Sequence, residues 1–246
     1  MSPTLDVGGA LSYGFDRLTT RGGAILIGAY VLFQVVTQVS FQSLFAELFA
    51  GVLPAERLAQ TYPLALDLPI GVSGGSTVLL LIAGSVLAVV TMRAIHDDID
   101  RMPTADHTRR LVRTVVVMIV VSIVTFVAIL IGTVFLVLPG IFLAVSLVFA
   151  QPAVVLEDAG VVEALERSWS LTAGNRIRLF ALGVVIAVVA GIAGGAFSLL
   201  GIVSPTVGTL LSSIVSAIMS LFGLAVLVGA YRQLAAENGT RVPPSR

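Results

Sequence analysis

The sequence predicts an all-α integral membrane protein with six transmembrane helices and two interfacial amphipathic helices. Of its 246 residues, 57% are hydrophobic and 11% are charged, a balance far from that of a soluble domain. Six apolar runs alternate with polar or turn-forming segments, and a helix of about 20 residues crosses a hydrocarbon core about 30 Å thick. We therefore predict a single membrane domain over residues 1–246, with both termini in the cytoplasm.

The first part of the chain predicts an amphipathic lead-in and two spans. Residues 1–21 are polar to amphipathic, and Leu11, Phe15 and Leu18 can share one face of an interfacial helix. Uncharged or nearly uncharged runs at about 22–44 and 77–95 are long enough to be the first two spans. Between them, residues 47–76 carry three prolines and four charged residues, which predicts a loop with a short interfacial helix around residues 49–58.

The third and fourth spans are predicted to form a hairpin. One apolar run extends from Val115 to Leu156, which is too long for a single crossing. Pro139 and Gly140 interrupt it, because proline removes a backbone donor and glycine tolerates the dihedral angles of a reversal. We place the turn at residues 138–140, so that the third span covers about 111–137 and the fourth about 141–156.

A second amphipathic helix is predicted at residues 159–174, before the last two spans. Its apolar and small residues recur every three or four positions, at Val161, Ala164, Leu165, Ser168, Trp169 and Thr172. This pattern is typical of a helix that lies on the membrane surface. The fifth and sixth spans follow at about 179–200 and 207–234, joined by an uncharged turn.

The placement of the arginines predicts the orientation. With six spans, successive loops alternate between the two sides of the membrane, and Arg57 is then alone on one side while 13 of the 14 basic residues share the other. By the positive-inside rule the arginine-rich side is the cytoplasm. We expect the protein in the cell membrane with both termini cytoplasmic.

Two groups of polar residues are candidate sites. Tyr30, Gln34, Gln38 and Gln42 recur every four residues in the first span, and amides in hydrocarbon must face other helices or a wet cavity. This stripe predicts either hydrogen bonding between helices or the lining of a polar path. The second group belongs to the surface helix and the residues after it, and it either anchors that helix or contacts anionic lipid headgroups: Arg167, Trp169, Arg176 and Arg178.

The sequence offers little for catalysis. It has no cysteine, which excludes thiolate chemistry. Ser73 lies in a Gly-Val-Ser-Gly-Gly segment that matches a nucleophile pattern, but His96 and His107 are the only histidines and lie across the bilayer in this topology. Residues 96–107 include aspartates that could ligate a metal, yet they equally balance the neighbouring arginines. We predict no catalytic residue, no cofactor and no metal site.

Small residues recur every four positions in the last two predicted spans. They are Gly183, Ala187, Gly191, Gly195 and Ser198 in the fifth and Ser212, Ser216 and Ser220 in the sixth. Small residues let helices approach closely in a membrane, so these stripes predict packing faces, with a transport path as the alternative. No span is expected to carry a buried charged residue, which argues against an ion-coupled transporter.

The segments LPGI, FAQPAVVLED and EALERSWSLTAGN resemble a broad group of uncharacterised polytopic membrane proteins. The matching residues are Pro139, Gly140, Pro152, Glu157, Ala164, Ser168, Trp169, Leu171 and Gly174. The group includes the membrane domain fused to some bacterial glycerophosphodiester phosphodiesterases, with stand-alone bacterial and halophilic archaeal relatives. This chain carries no phosphodiesterase domain, so the resemblance implies a membrane location and no reaction.

These observations favour a non-catalytic membrane protein that organises lipid or binds a partner. Its expected partners are membrane lipids, other membrane proteins or a second copy of the chain, and no nucleic acid. The alternative is a permease or exporter of an apolar or zwitterionic solute or lipid. Gln34 and Gln38 suggest that alternative, as does a weak parallel repeat between residues 6–23 and 158–175.

Overall fold

A computed structural model describes residues 4–97, 110–198 and 204–237, which are helical and contain no strand. The helices, numbered in chain order, are α1 (Val7–Leu18), α2 (Arg21–Phe49), α3 (Ala55–Thr61), α4 (Ile70–His96), α5 (Leu111–Phe135), α6 (Val137–Ser146), α7 (Ala150–Glu157), α8 (Val161–Thr172), α9 (Arg176–Ser198) and α10 (Pro205–Glu237). The prediction of an all-α chain is confirmed for these residues.

Six segments of the described chain are long and apolar enough to cross a membrane. They are α2, α4, α5, the combined α6 and α7 segment Val137–Glu157, α9 and α10. The predicted number of helical segments long and apolar enough to cross a membrane is therefore confirmed for the described residues, and the chain has the length and composition of a multi-pass membrane protein. The predicted amphipathic segments also form helices, α1 and α8.

Two helices at the start of the chain begin or end at positions that differ from the prediction. The segment Gly71–Gly75, predicted to be a loop, continues α4 upstream, because Val72 and Ser73 donate backbone hydrogen bonds to Pro69 O at 2.8 and 3.1 Å. Pro69 therefore lies at the start of α4, where its missing N–H costs no helical hydrogen bond. The short helix is Ala55–Thr61, directly after Pro54, and not residues 49–58.

The hairpin between α5 and α6 turns earlier than predicted. Leu136 alone is extended, with φ −163° and ψ 141°, and Pro139 lies inside the first turn of α6. Gly140 serves close packing, because a Cβ there would lie 2.9 Å from the Cα of Thr133. A Cβ on Gly132 would lie 3.1 Å from the Cα of Gly140, so both glycines let α5 and α6 touch backbone to backbone. The chain therefore reverses at Leu136, and the prediction of a turn at residues 138–140 is wrong.

The fourth span consists of two helices and not one. A turn over residues 147–149 separates α6 from α7. Ser168 of α8 bridges the break, accepting from the Phe149 N–H at 3.0 Å and donating to Ser146 O at 2.8 Å. Thr172 Oγ1 also donates to Ser146 O, at 3.3 Å. Side chains of α8 thus replace the helical hydrogen bonds that the break removes, as an apolar surrounding requires.

The described residues divide into two compact units. The first comprises Met1–Ala24, Ser85–Val185 and Phe222–Arg246, and the second Ile25–Gly84 and Ile186–Leu221. Most of the largest fully buried side chains belong to the first unit, including Met92, Phe149 and Tyr231. The ring of Phe149 meets that of Tyr231 edge to face at 5.5 Å.

Within the first unit, α1 packs through small residues and not through its apolar stripe. Ala10 and Gly14 are its buried residues, whereas Phe15 is 63% exposed. A Cβ on Gly14 would lie 3.2 Å from the backbone nitrogen of Val226 in α10. The face predicted from Leu11, Phe15 and Leu18 therefore points away from this contact.

Candidate functional site

The first unit contains a buried arginine near the end of α4. Arg93 is 6% exposed. Its Nε donates to Val155 O at 3.1 Å, and its Nη2 donates to Thr114 Oγ1 at 3.1 Å and to Asp158 Oδ1 at 3.4 Å. Val155 O is one of the last four carbonyls of α7, which have no helical donor and favour a cation. The expectation that no span carries a buried charge is therefore wrong at Arg93.

The residues around Arg93 are shaped to receive it. Asp158 ends α7 in the left-handed region, with φ +56°, a conformation that aspartate tolerates better than most residues. Thr114 donates to Arg110 O at 3.2 Å, so its hydroxyl is oriented to accept from Arg93. Arg113 donates to Asp158 O at 3.5 Å from the exposed side. This arrangement joins the ends of α4 and α7 to the start of α5.

A second ion pair joins α7 to α8. Arg167 Nε donates to the Glu157 carboxylate at 3.1 and 3.2 Å and its Nη2 donates at 3.1 Å, with both side chains about one-fifth exposed. Burial alone lowers the pKa of Arg167, but the hydrogen bonds and negative charge of Glu157 outweigh it, so the pKa is raised above its usual value. The hydroxyl of buried Tyr231 lies beside this pair without a hydrogen bond of ordinary geometry. Arg167 is thus engaged inside the protein.

Tyr13 and Arg232 cover the carbonyl end of α4. The Tyr13 hydroxyl donates to Ile95 O at 2.7 Å. Arg232 Nη1 donates to the Tyr13 hydroxyl at 2.8 Å and to His96 O at 3.2 Å. These groups cap the helix end, which is a structural role. His96 begins the segment 96–107 that was considered as a metal site, and residues 98–107 of that segment lie outside the described residues. Among the residues that are described, no group of three or more His, Cys, Asp and Glu could hold a metal ion.

Arg178 fastens the start of the chain to the junction between α8 and α9. It donates to Leu5 O at 3.2 Å, and the Leu5 N–H donates to Asn175 Oδ1 at 2.9 Å. Asn175 is 1% exposed and follows Gly174, whose φ of +82° suits glycine. Sequence reasoning missed the role of Asn175, because its partner is 170 residues away.

Arg176 is placed differently from the other arginines predicted with it. Its Cζ lies 4.5 Å from the ring centre of Phe142 and 4.6 Å from that of Trp169. The two rings meet edge to face at 5.6 Å. We call these three residues the arginine clamp. Of the predicted headgroup group, Arg167 and Arg178 hold other parts of the first unit, whereas Arg176 and Trp169 form this clamp.

The glutamine stripe of α2 is divided in the second unit. Gln42 is 7% exposed and its Oε1 accepts from the Leu64 N–H at 2.8 Å, so it holds the segment before α4. Tyr30, Gln34 and Gln38 are half-buried. The helices α2 and α4 meet through hydroxyl groups that sequence reasoning missed: Ser40 Oγ lies 2.7 Å from Ser76 Oγ and 3.0 Å from Thr77 Oγ1.

Ser73 is a helical residue and not an exposed loop residue. It is fully buried, and its hydroxyl donates to Pro69 O at 3.4 Å and Ile70 O at 3.3 Å, both in the preceding turn. It lies in the first turn of α4, whereas His96 is the last residue of the same helix. His107 lies outside the described residues. The described chain therefore brings no histidine base to this serine.

Gly183 and Gly191 of the small-residue stripe of α9 have open space where a side chain would lie. A Cβ added to Gly183, Gly191, Gly194 or Gly195 would meet no heavy atom within 4 Å outside the helix's own backbone and its immediate neighbours. The prediction that this stripe packs against another helix stays a prediction. Spacing alone identifies a face that permits close approach and does not identify what approaches it.

The residues that carry the family resemblance lie at contacts and turns between successive helices from α5 to α9. Gly140 lets α6 contact α5, Ser168 bridges the break between α6 and α7, Glu157 pairs with Arg167, and Gly174 allows the turn into α9. The remaining resemblance residues of the predicted set are Pro139 and Pro152 in the first turns of α6 and α7, and Trp169 in the arginine clamp. Each has a structural role that its residue type explains.

A protein-family model described as "Domain of unknown function (DUF7847)" matches residues 5–234 of the chain. No curated protein and no solved structure matches it. The match covers the described helices α1 to α9 in full and α10 up to residue 234.

Proposed function

We propose that this chain, which belongs to the family of that domain of unknown function matched over residues 5–234, is a non-catalytic multi-pass membrane protein that organises the lipids around it. The description of the family names no activity. Membrane lipids are its primary partners in this proposal. Another membrane protein or a second copy of the chain is the remaining class of partner.

The observation that carries this proposal is the use of the charged groups in the first unit. Arg93 donates a hydrogen bond to a helix carbonyl and pairs with Asp158. Arg167 pairs with Glu157. Arg232 donates hydrogen bonds to a tyrosine hydroxyl and a helix carbonyl. A catalytic site needs a nucleophile or base that can reach a substrate. Here the carboxylates Asp158 and Glu157, which could act as bases, are paired with Arg93 and Arg167 and hold helices together, which favours a structural framework.

We propose an orientation with both termini in the cytoplasm of a cell-membrane protein, and with α1 and α8 at the membrane interface. The support is the arginine asymmetry of the sequence, 13 residues against Arg57. The exposed Phe15 of α1 and Trp169 of α8, 63% and 43% exposed, are residue types suited to an interface.

Gln34 and Gln38 favour a second candidate function, a permease or exporter of an apolar or zwitterionic solute or lipid. Both amides are half-buried, and neither forms a hydrogen bond to a described residue. Amides in an apolar helix that lack protein partners are suited to line a polar path.

Kinship with the membrane domain of glycerophosphodiester phosphodiesterases is a further part of the proposal. Its support is that three of the resemblance residues occupy positions that restrict the residue type: Gly140 by close packing, Gly174 by its positive φ, and Ser168 by its hydrogen bonds to Phe149 N–H and Ser146 O. This kinship would mean that the two groups share a fold and a membrane location. It assigns no reaction to this chain.

Native mass spectrometry of the purified chain tests the proposed function. The chain is extracted into nanodiscs of mixed zwitterionic and anionic lipid, released in the gas phase and weighed with its retained lipids. We expect stoichiometric retention of lipid, and no uptake of zwitterionic solutes by proteoliposomes above protein-free vesicles. Uptake that Gln38→Leu abolishes would establish the permease instead. A lipid-free chain without uptake would leave the protein-partner role.

A further inference from the structure

Among the described residues, the arginine clamp is the one place where an arginine lies over two aromatic rings, whereas Arg17 and Arg232 each lie over one ring, that of Tyr13. The Arg176 Cζ lies 4.5 and 4.6 Å from the ring centres of Phe142 and Trp169, in the corner formed by these two nearly perpendicular rings. These contacts hold the cation in place, because the ring quadrupoles attract it. The charge is thus positioned, and side-chain entropy has already been lost before any ligand arrives.

The positioned cation lacks an anion of its own. No carboxylate of the described residues lies within ion-pairing distance of Arg176, whereas Arg93 and Arg167 have Asp158 and Glu157. The Arg176 Nε is buried without a hydrogen-bond partner. Its two Nη nitrogens are neither buried in this way nor hydrogen-bonded to a described residue. A half-buried cation with unmet donors is stabilised by an anionic acceptor.

The residues next to the clamp are apolar and exposed. Ile177 is 85% exposed and Phe180 is 45% exposed on the first turns of α9, while Phe142 and Trp169 are 44% and 43% exposed. An inorganic anion gains nothing from such surroundings. An amphiphile with an anionic head and acyl chains matches both the cation and the apolar side chains.

We propose that the arginine clamp binds the phosphate of an anionic phospholipid. The two Nη groups of Arg176 donate to phosphate oxygens, a pairing for which the guanidinium fork is suited. The acyl chains lie along Ile177 and Phe180. Arg176 is also the first residue of α9, whose amino end adds a partial positive charge. This inference rests on the proposed function and names the lipid chemistry and the residues that it uses.

The chain contains a single tryptophan, and it is part of the clamp, so its fluorescence reports this site alone. The full chain in a mild detergent is titrated with short-chain phosphatidylglycerol, short-chain phosphatidylcholine or sodium phosphate. We expect a saturable change in Trp169 emission with phosphatidylglycerol. Phosphatidylcholine and inorganic phosphate should require at least about tenfold higher concentrations.

Three variants decide the role of the clamp. Arg176→Gln should weaken phosphatidylglycerol binding by about tenfold or more, because the bidentate charge-assisted pair is lost. Arg21→Gln is the matched control, since Arg21 is, like Arg176, the first residue of an apolar helix, here α2, and its replacement should leave binding unchanged. Phe142→Leu keeps the charge of Arg176 and removes one ring, so it should weaken phosphatidylglycerol binding to a smaller extent. This variant tests the clamp if Arg176→Gln does not fold.

Each remaining outcome overturns the inference. Equal binding of phosphatidylcholine, or unchanged affinity in both Arg176→Gln and Phe142→Leu, shows that the clamp does not select an anionic lipid. Inorganic phosphate binding with the same affinity shows a site for free phosphate. The proposed function fails separately, through solute uptake or through the absence of retained lipid by mass spectrometry. Lipid retention that survives Arg176→Gln would refute the clamp alone.

Discussion

Replacing Arg93 with methionine tests whether the buried arginine stabilises the first unit. Methionine has a similar length and no charge, so Arg93→Met removes the guanidinium while retaining much of the packing. The donors to Val155 O, Thr114 Oγ1 and Asp158 Oδ1 are lost together. We expect a marked loss of thermal stability.

The magnitude follows from the exposure of each partner. The Val155 carbonyl loses its side-chain donor inside the protein, and an unsatisfied buried acceptor costs about 1–3 kcal/mol. The Asp158 side chain is 32% exposed, so water replaces part of what Arg93 supplied. We therefore expect Arg93→Met to lower the free energy of unfolding by about 3 kcal/mol. For a chain of this length, that lowers the melting temperature by about 6–12 °C.

Arg113→Met is the matched control. Arg113 is exposed and forms one long hydrogen bond, 3.5 Å, to the carbonyl of the same Asp158. Exposed charges of this kind contribute less than about 1 kcal/mol, so we expect a change of at most about 3 °C. The assay is the fraction of monodisperse protein that remains after heating in detergent, measured by size-exclusion chromatography for both variants and the parent chain.

Two results would refute the reasoning. An Arg93→Met chain as stable as the parent would show that the buried donors do not stabilise the carbonyl end of α7. Equal losses in Arg93→Met and Arg113→Met would show that positive charge near Asp158 matters and that burial does not.

The structure makes further predictions for the α5–α8 region. Gly140→Ala should lower the melting temperature by several degrees, because its Cβ would lie 2.9 Å from the Thr133 Cα, whereas Gly183→Ala, whose Cβ meets open space, should not lower it. Both are measured by the same heating assay, and equal effects would contradict the close approach of α5 and α6. Ser168→Ala leaves the buried Phe149 N–H unpaired and should cost about 1–3 kcal/mol. Faster hydrogen exchange at residues 147–149 should accompany that loss, and unchanged exchange there would contradict the bridging role.

The amino-acid sequence by itself determined the all-α class of the molecule and the approximate positions of its six apolar segments. That information is local, because the length of an uninterrupted apolar run decides whether a helix can cross a bilayer. It also determined that a reversal must occur between Val115 and Leu156. The sequence did not determine the residue at which the chain reverses. That position depends on how closely Gly132 and Gly140 allow the backbones of α5 and α6 to approach.

Only the tertiary structure decided which polar groups are held and by what. Arg93 and Val155 are 62 residues apart, and Leu5 and Asn175 are 170 residues apart, so no local pattern marks them as partners. The arginines Arg167, Arg176 and Arg178 look alike in the sequence, yet one meets a carboxylate, one meets two aromatic rings and one meets a backbone carbonyl. Their roles differ because a charged side chain's surroundings depend on distant elements, while its residue type records only the charge.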